Sequence, residues 1–165
     1  MRRLAGLCLM AAAALAQATW AQHLEVGGAF PNLVLLGVVA VSWTLGTRSA
    51  LVWAVIGGLL LDVTASGAVG PHALALLPGA YLVGFWIRNL EHPNALHVAL
   101  TAGACTLLYS AVIVLTDGLL GTPVPPPSVA LELALAAAAY NAVLMPLAFE
   151  LVRRLLSISR TPQPT

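Results

Sequence analysis

Apolar residues along this chain run in long, nearly unbroken stretches, separated by short breaks where charge, proline and glycine gather. A helix that crosses a bilayer needs about 20 mostly apolar residues. The breaks divide the chain into six such stretches. The first runs from Leu4 to Ala21. The second opens at Pro31, whose missing N–H costs nothing in a first helical turn, and runs to Leu45. The third covers Ser49 to Asp62 or a little beyond. The fourth follows Gly70-Pro71 and ends near Ile87. The fifth runs from Ala95 to Leu115, and the sixth follows Pro125-Pro126-Pro127 and ends near Leu151. The pattern predicts an all-α integral membrane protein: one six-helix transmembrane domain over residues 1–156 and a short cytoplasmic tail over residues 157–165. The longest connection, Asp117 to Ser128, is rich in proline and reads as an extended, stiff strap. No segment is long enough for a domain outside the membrane, and no internal repeat is visible.

Composition supports the same class. Of 165 residues, 60% are apolar and only 8% are charged, against about 25% charged in an ordinary soluble domain. So few charges cannot clothe a water-facing surface. A net charge of +1 leaves no basic field for nucleic acid. Every basic side chain is arginine. The absence of lysine removes Schiff-base chemistry, Ser-Lys dyads and any P-loop. Cys8 and Cys105 fall inside apolar runs and read as small hydrophobes.

Arginine sets the orientation. Arg2 and Arg3 precede the first stretch, Arg48 lies between the second and third, Arg88 between the fourth and fifth, and Arg153, Arg154 and Arg160 follow the sixth. Six spans with both termini cytoplasmic put all of them on the cytoplasmic side. The other connections hold Glu25, the Asp62 region and Asp117. The first stretch also has the build of a secretory signal, with a cut after Ala21 as the competing reading. Trp20 beside that cut suits an interfacial belt better.

A few polar residues interrupt the spans. Asp62 would sit about 20 Å along its helix at 1.5 Å per residue. A carboxylate inside a span needs compensation. A partner, ion or proton site would provide it. So would local caps from Thr64, Ser66, His72 or free N–H groups before the next helix. Gly57 and Gly58 leave one helix face without bulk, for packing within the chain or against another membrane protein. The run Ala65 to His72 is a turn by composition, with Pro71 starting the next helix. Pro78 and Gly79 mark a kink, and the Tyr81 hydroxyl wants a partner. Asn141 is a lone amide in lipid, Glu132 suits a helix start, and Glu150 is placed to pair with Arg154. His23, His72, His92 and His97 do not cluster, which leaves no metal site and no cofactor to expect. No hydrolase signature is present.

Four segments carry a resemblance: Pro31-Asn32-Leu33-Val34-Leu35-Leu36, Gly57-Gly58-Leu59-Leu60-Leu61-Asp62, Gly70-Pro71-His72-Ala73-Leu74, and Gly79-Ala80-Tyr81-Leu82-Val83-Gly84. In that order they resemble the rod-shape-determining protein MreD family over roughly Pro31 to Arg88. The family often carries a polar residue other than histidine at position 72. The resemblance implies Pro31, Asn32, Gly57, Gly58, Asp62, Gly70, His72 and Tyr81 as family-motif or partner-binding positions.

It further implies a non-enzymatic subunit of the bacterial cell-elongation complex in the inner membrane, surrounded by lipid. Such a subunit binds MreC and works alongside MreB, RodA and its penicillin-binding transpeptidase in cell shape and peptidoglycan synthesis. Self-association stays open. Helices two to four, with Gly57, Gly58 and Asp62, are expected to form a groove for a partner's transmembrane helix. The family is similar in fold to substrate-binding subunits of energy-coupling-factor vitamin transporters. That likeness gives the alternative, a small-molecule-binding subunit with an outward cavity holding Tyr81, Thr106, Tyr109 and Asn141.

Overall fold

The computed structural model of the protein describes residues 2–20, 23, 25, 28–65, 68–90 and 94–158. The cut after Ala21, the Ser66 cap, Glu91, His92 and Arg160 lie outside the described residues. The described residues form six helices: α1 (Arg2–Thr19), α2 (Leu33–Leu45), α3 (Thr47–Thr64), α4 (Pro71–Arg88), α5 (Ala95–Leu120) and α6 (Pro127–Ile158). Three of these, Thr47–Thr64, Ala95–Leu120 and Pro127–Leu156, are long and apolar enough to cross a membrane. The described part of α1 and all of α2 are apolar but shorter.

Local chemistry explains the helix ends. Pro71 opens α4 as expected, one residue after Gly70 at φ 122°, a conformation that favours glycine. Pro31 does not open α2. Asn32 takes the N-cap instead, its side chain accepting from Leu35 N at 2.9 Å, and leaves Pro31 outside the helix. Helix α5 starts with a capping box between Asn94 and His97. It continues past Leu115 and ends where Gly121 turns left-handed at φ 73°. There Thr122 N donates to Asp117 O and Gly121 N to Gly118 O, the double bond pattern that closes a helix end. Helix α6 starts at Pro127 and runs past Leu151. The expected dozen-residue strap is therefore reduced to residues 121–126, because the flanking helices absorb its ends. Helices α4 and α6 run on through Pro78 and Pro146.

Contacts between helices show an up-and-down bundle. Near its start, α3 meets the end of α4, where a Cβ on Gly84 would collide with the Thr47 side chain. Near its end, α3 meets the start of α4, where a Cβ on Gly58 would collide with the Ala73 backbone. Early α4 reaches late α5 through His72 and Tyr109, while mid-α4 meets mid-α5 at Gly79 and Cys105. Early α2 reaches α6 through Asn32 and Asn141, and late α2 reaches early α5 through Trp43 and Thr101. Arg48, Arg88, Arg153 and Arg154 consequently gather at one end of the bundle. Asp62, His72, Asn32 and Asp117 lie toward the other.

Helix α2 is the axis of the core. Every residue from Val34 to Ser42 is buried. Met10 of α1 fills the space over Gly37, and Val34 fills the space over Gly57. Hydrocarbon surroundings supply no hydrophobic drive between helices, so close packing at such small residues holds the bundle.

Candidate functional site: a polar seam and a cavity at one end of the bundle

The first N–H groups of a helix have no partner within it. At the start of α2, side chains from three helices satisfy them. Asn32 caps its own helix; Asn32 N donates to Asn141 Oδ1 of α6 at 3.0 Å; Leu33 N donates to Gln17 Oε1 of α1 at 2.7 Å. Asn141 is wholly buried, and its Nδ2 donates to Thr106 Oγ1 of α5 at 3.0 Å. Thr106 Oγ1 in turn donates to Ala102 O.

The seam continues across α4 into α3. The Tyr109 hydroxyl and His72 Nδ1 are 2.8 Å apart, with the rings nearly parallel at 8°. His72 N donates to Asp62 Oδ1 at 3.0 Å. Asp62 is 2% exposed, and its Oδ2 has no hydrogen-bond partner among the described residues. Asp62 thus caps the N-terminus of α4, a position where the helix dipole favours negative charge. Among the described residues, the backbone of the next helix supplies one of the compensations that the sequence left open.

Of the motif positions, this end of the bundle brings Pro31, Asn32, Asp62, Gly70 and His72 together. Gly57 and Gly58 sit deeper in the bundle and are filled by the chain's own Val34, Met10 and Ala73. These are residues that the expected groove of helices two to four was to offer a partner. Helix α2 is enclosed, and Gly57, Gly58 and Asp62 all face inward. Tyr81 stands apart from the seam. It is 59% exposed, at mid-length of α4, and its hydroxyl has no bond among the described residues. Phe85, one turn on, is exposed as well.

Beside the seam lies a cavity of about 400 Å³ between α1, α5, α6 and the segment before α2. Its polar lining includes Gln17, Asn32, Thr106, Tyr109, Ser110 and Asn141, with Asp117 further up α5. Phe30, Ile113, Val114 and Leu133 give it apolar walls. Thr106, Tyr109 and Asn141, placed in a cavity by the transporter alternative, do line it; Tyr81 does not. Sequence reasoning missed Gln17 and Ser110. A single amide among the alanines and leucines of α1 was the available signal for Gln17. At the arginine end, Glu150 pairs with Arg154 as expected and also with Arg153. Among the described residues, no group of three or more His, Cys, Asp or Glu could hold a metal ion.

No curated protein and no solved structure matches the chain. The family model of the rod shape-determining protein MreD matches residues 1–155 of the 165, which takes in all four motif segments and the whole seam. The chain therefore belongs to the MreD family, membrane proteins of rod-shape determination.

Proposed function

We propose that the protein is a non-enzymatic scaffold of the bacterial cell-elongation complex that receives the transmembrane helix of MreC on the outward face of α4. It lies in the inner membrane as one six-span domain, with both termini and the arginine end of the bundle in the cytoplasm. MreB, RodA and its penicillin-binding transpeptidase are the further members of that complex. Through MreC the scaffold contributes to peptidoglycan synthesis along the cell.

Tyr81 carries the reading. Its backbone lies at mid-helix, about 15 Å from the start of α4 at 1.5 Å per residue, and its side chain is exposed, with no hydrogen bond among the described residues. In hydrocarbon an unsatisfied polar group is costly, and a partner helix that covers Tyr81 and Phe85 would supply the missing bond. Aromatic residues are also enriched in interface cores. A short helix such as α2 can cross within the bundle because protein, not lipid, surrounds it from Val34 to Ser42.

The test is depletion and rescue in rod-shaped cells. The expected result is rounding on depletion, recovery with the wild-type chain, and co-purification of MreC from native membranes. Cells that remain rods, with no MreC recovered, contradict the proposal.

A further inference from the structure

The cavity beside the seam holds hydrogen-bond donors that the fold does not use. Asn141 employs its oxygen on Asn32 N and one N–H on Thr106, and its second N–H makes no bond among the described residues. Gln17 employs its oxygen on Leu33 N, and its NH₂ makes no bond among the described residues. The Ser110 hydroxyl makes no bond among the described residues. All three side chains line one cavity, and Asn141 is fully buried. Gln17 and Ser110 are half-buried, so their donors are open to the cavity, and an acceptor there would pair all three groups.

The lining also defines the charge of what would bind. No arginine lines the cavity, and Arg48, Arg88, Arg153 and Arg154 lie at the opposite end of the bundle. Its one ionisable carboxylate is Asp117, eleven residues along α5 from Thr106 and so about 16 Å away. A carboxylate or phosphate ligand would find no cation in this lining, and Asp117 adds to its negative charge. The remaining walls are apolar, from Phe30, Ile113, Val114 and Leu133. A volume near 400 Å³ falls in the range of sites for small ligands.

We infer that this cavity binds a small uncharged amphiphile whose acceptor-bearing head, an ester or amide carbonyl with hydroxyls, meets the donors of Gln17, Ser110 and Asn141, and whose apolar body lies along Ile113, Val114 and Leu133. The ligand is either an acylglycerol-like membrane lipid or a free metabolite of the same chemistry. The inference goes beyond the scaffold reading and is independent of it, since the cavity and the Tyr81 face involve different surfaces.

The full chain is purified in detergent, and its thermal unfolding is followed with 1-monodecanoylglycerol as the uncharged probe and decanoate as the anionic probe of equal chain length. Monodecanoylglycerol is expected to raise Tm saturably in the wild type, and decanoate is not. Ala134→Phe, which fills the cavity from α6, is expected to raise the half-saturating concentration at least ten-fold. Ser110→Leu, from α5, gives the same readout should Ala134→Phe fail to fold. Mass spectrometry of the denatured wild-type protein distinguishes the sources: a stoichiometric neutral compound in the organic phase assigns a lipid, and one in the aqueous phase a metabolite. Equal Tm shifts in wild type and both filled variants, or decanoate matching monodecanoylglycerol, overturn the inference. So does a wild type with neither a Tm shift nor a retained compound, which would mean the cavity holds water only.

Discussion

Helices α2 and α6 are built from similar apolar residues and end in opposite surroundings. Helix α2 is enclosed over nine consecutive positions, Val34 to Ser42. Helix α6 buries a single stripe, Ala138, Asn141, Met145 and Val152, and exposes Leu131, Leu135, Val143, Leu147 and Leu151. In water such an exposed set would mark a binding surface or an aggregation hazard. In hydrocarbon, leucine at the surface carries no penalty, so hydrophobicity does not distinguish inside from outside. What distinguishes them is where the small and polar residues fall. Gly37 lets Met10 onto α2, and Asn141 marks the one face of α6 that meets protein.

The sharpest way to break this contrast is to put bulk into the enclosed side. Gly58→Leu must displace the backbone of Ala73, and overpacking of that kind costs about 3 kcal/mol or more. Unfolding of the purified protein in detergent should show a large drop in Tm, and a rod-shaped host should lose rescue. Asn141→Leu keeps the volume but leaves Asn32 N and Thr106 without their partner, at a cost of about 1–3 kcal/mol for a buried unpaired donor. The same unfolding assay measures it.

Asp62→Ala removes a cap from α4 and should cost about 1 kcal/mol, whereas Asp62→Asn keeps the acceptor for His72 N and should lose less than half of that. Equal losses in the two variants would show that the charge, not the cap, matters. The smallest effect belongs to the lipid-facing side. Val143→Ala on α6 should stay within about 0.5 kcal/mol of wild type, and a loss as large as that of Asn141→Leu would place α6 against something other than lipid.

Much of this architecture is legible in the residues because proline and glycine are explicit. Pro71 marks a helix start where it was expected, and α6 begins at Pro127, the last of the three prolines that were expected to precede it. The start of α2 was misplaced because Asn32, a better cap, stands next to Pro31. The end of α5 was read too early because Asp117 looked like a residue leaving the membrane; Gly121 ends the helix instead. The polar seam was visible only as separate residues. Asp62, His72, Tyr109, Asn32 and Asn141 belong to five helices, and no local pattern says that they meet. The direction in which Gly57 and Gly58 face is equally silent in the sequence, since glycine permits close approach from any neighbour.

The central claim is that the partner helix docks on the outward face of α4, not on the buried motif residues. Site-specific photocrosslinking in living cells tests it directly, with the probe at Tyr81, at Phe85, or at Val143 and Leu147 on α6. The account predicts a covalent adduct with MreC from Tyr81 and Phe85 and none from the two α6 positions. Adducts from α6 alone, or none from Tyr81 and Phe85 while MreC still co-purifies, would contradict it.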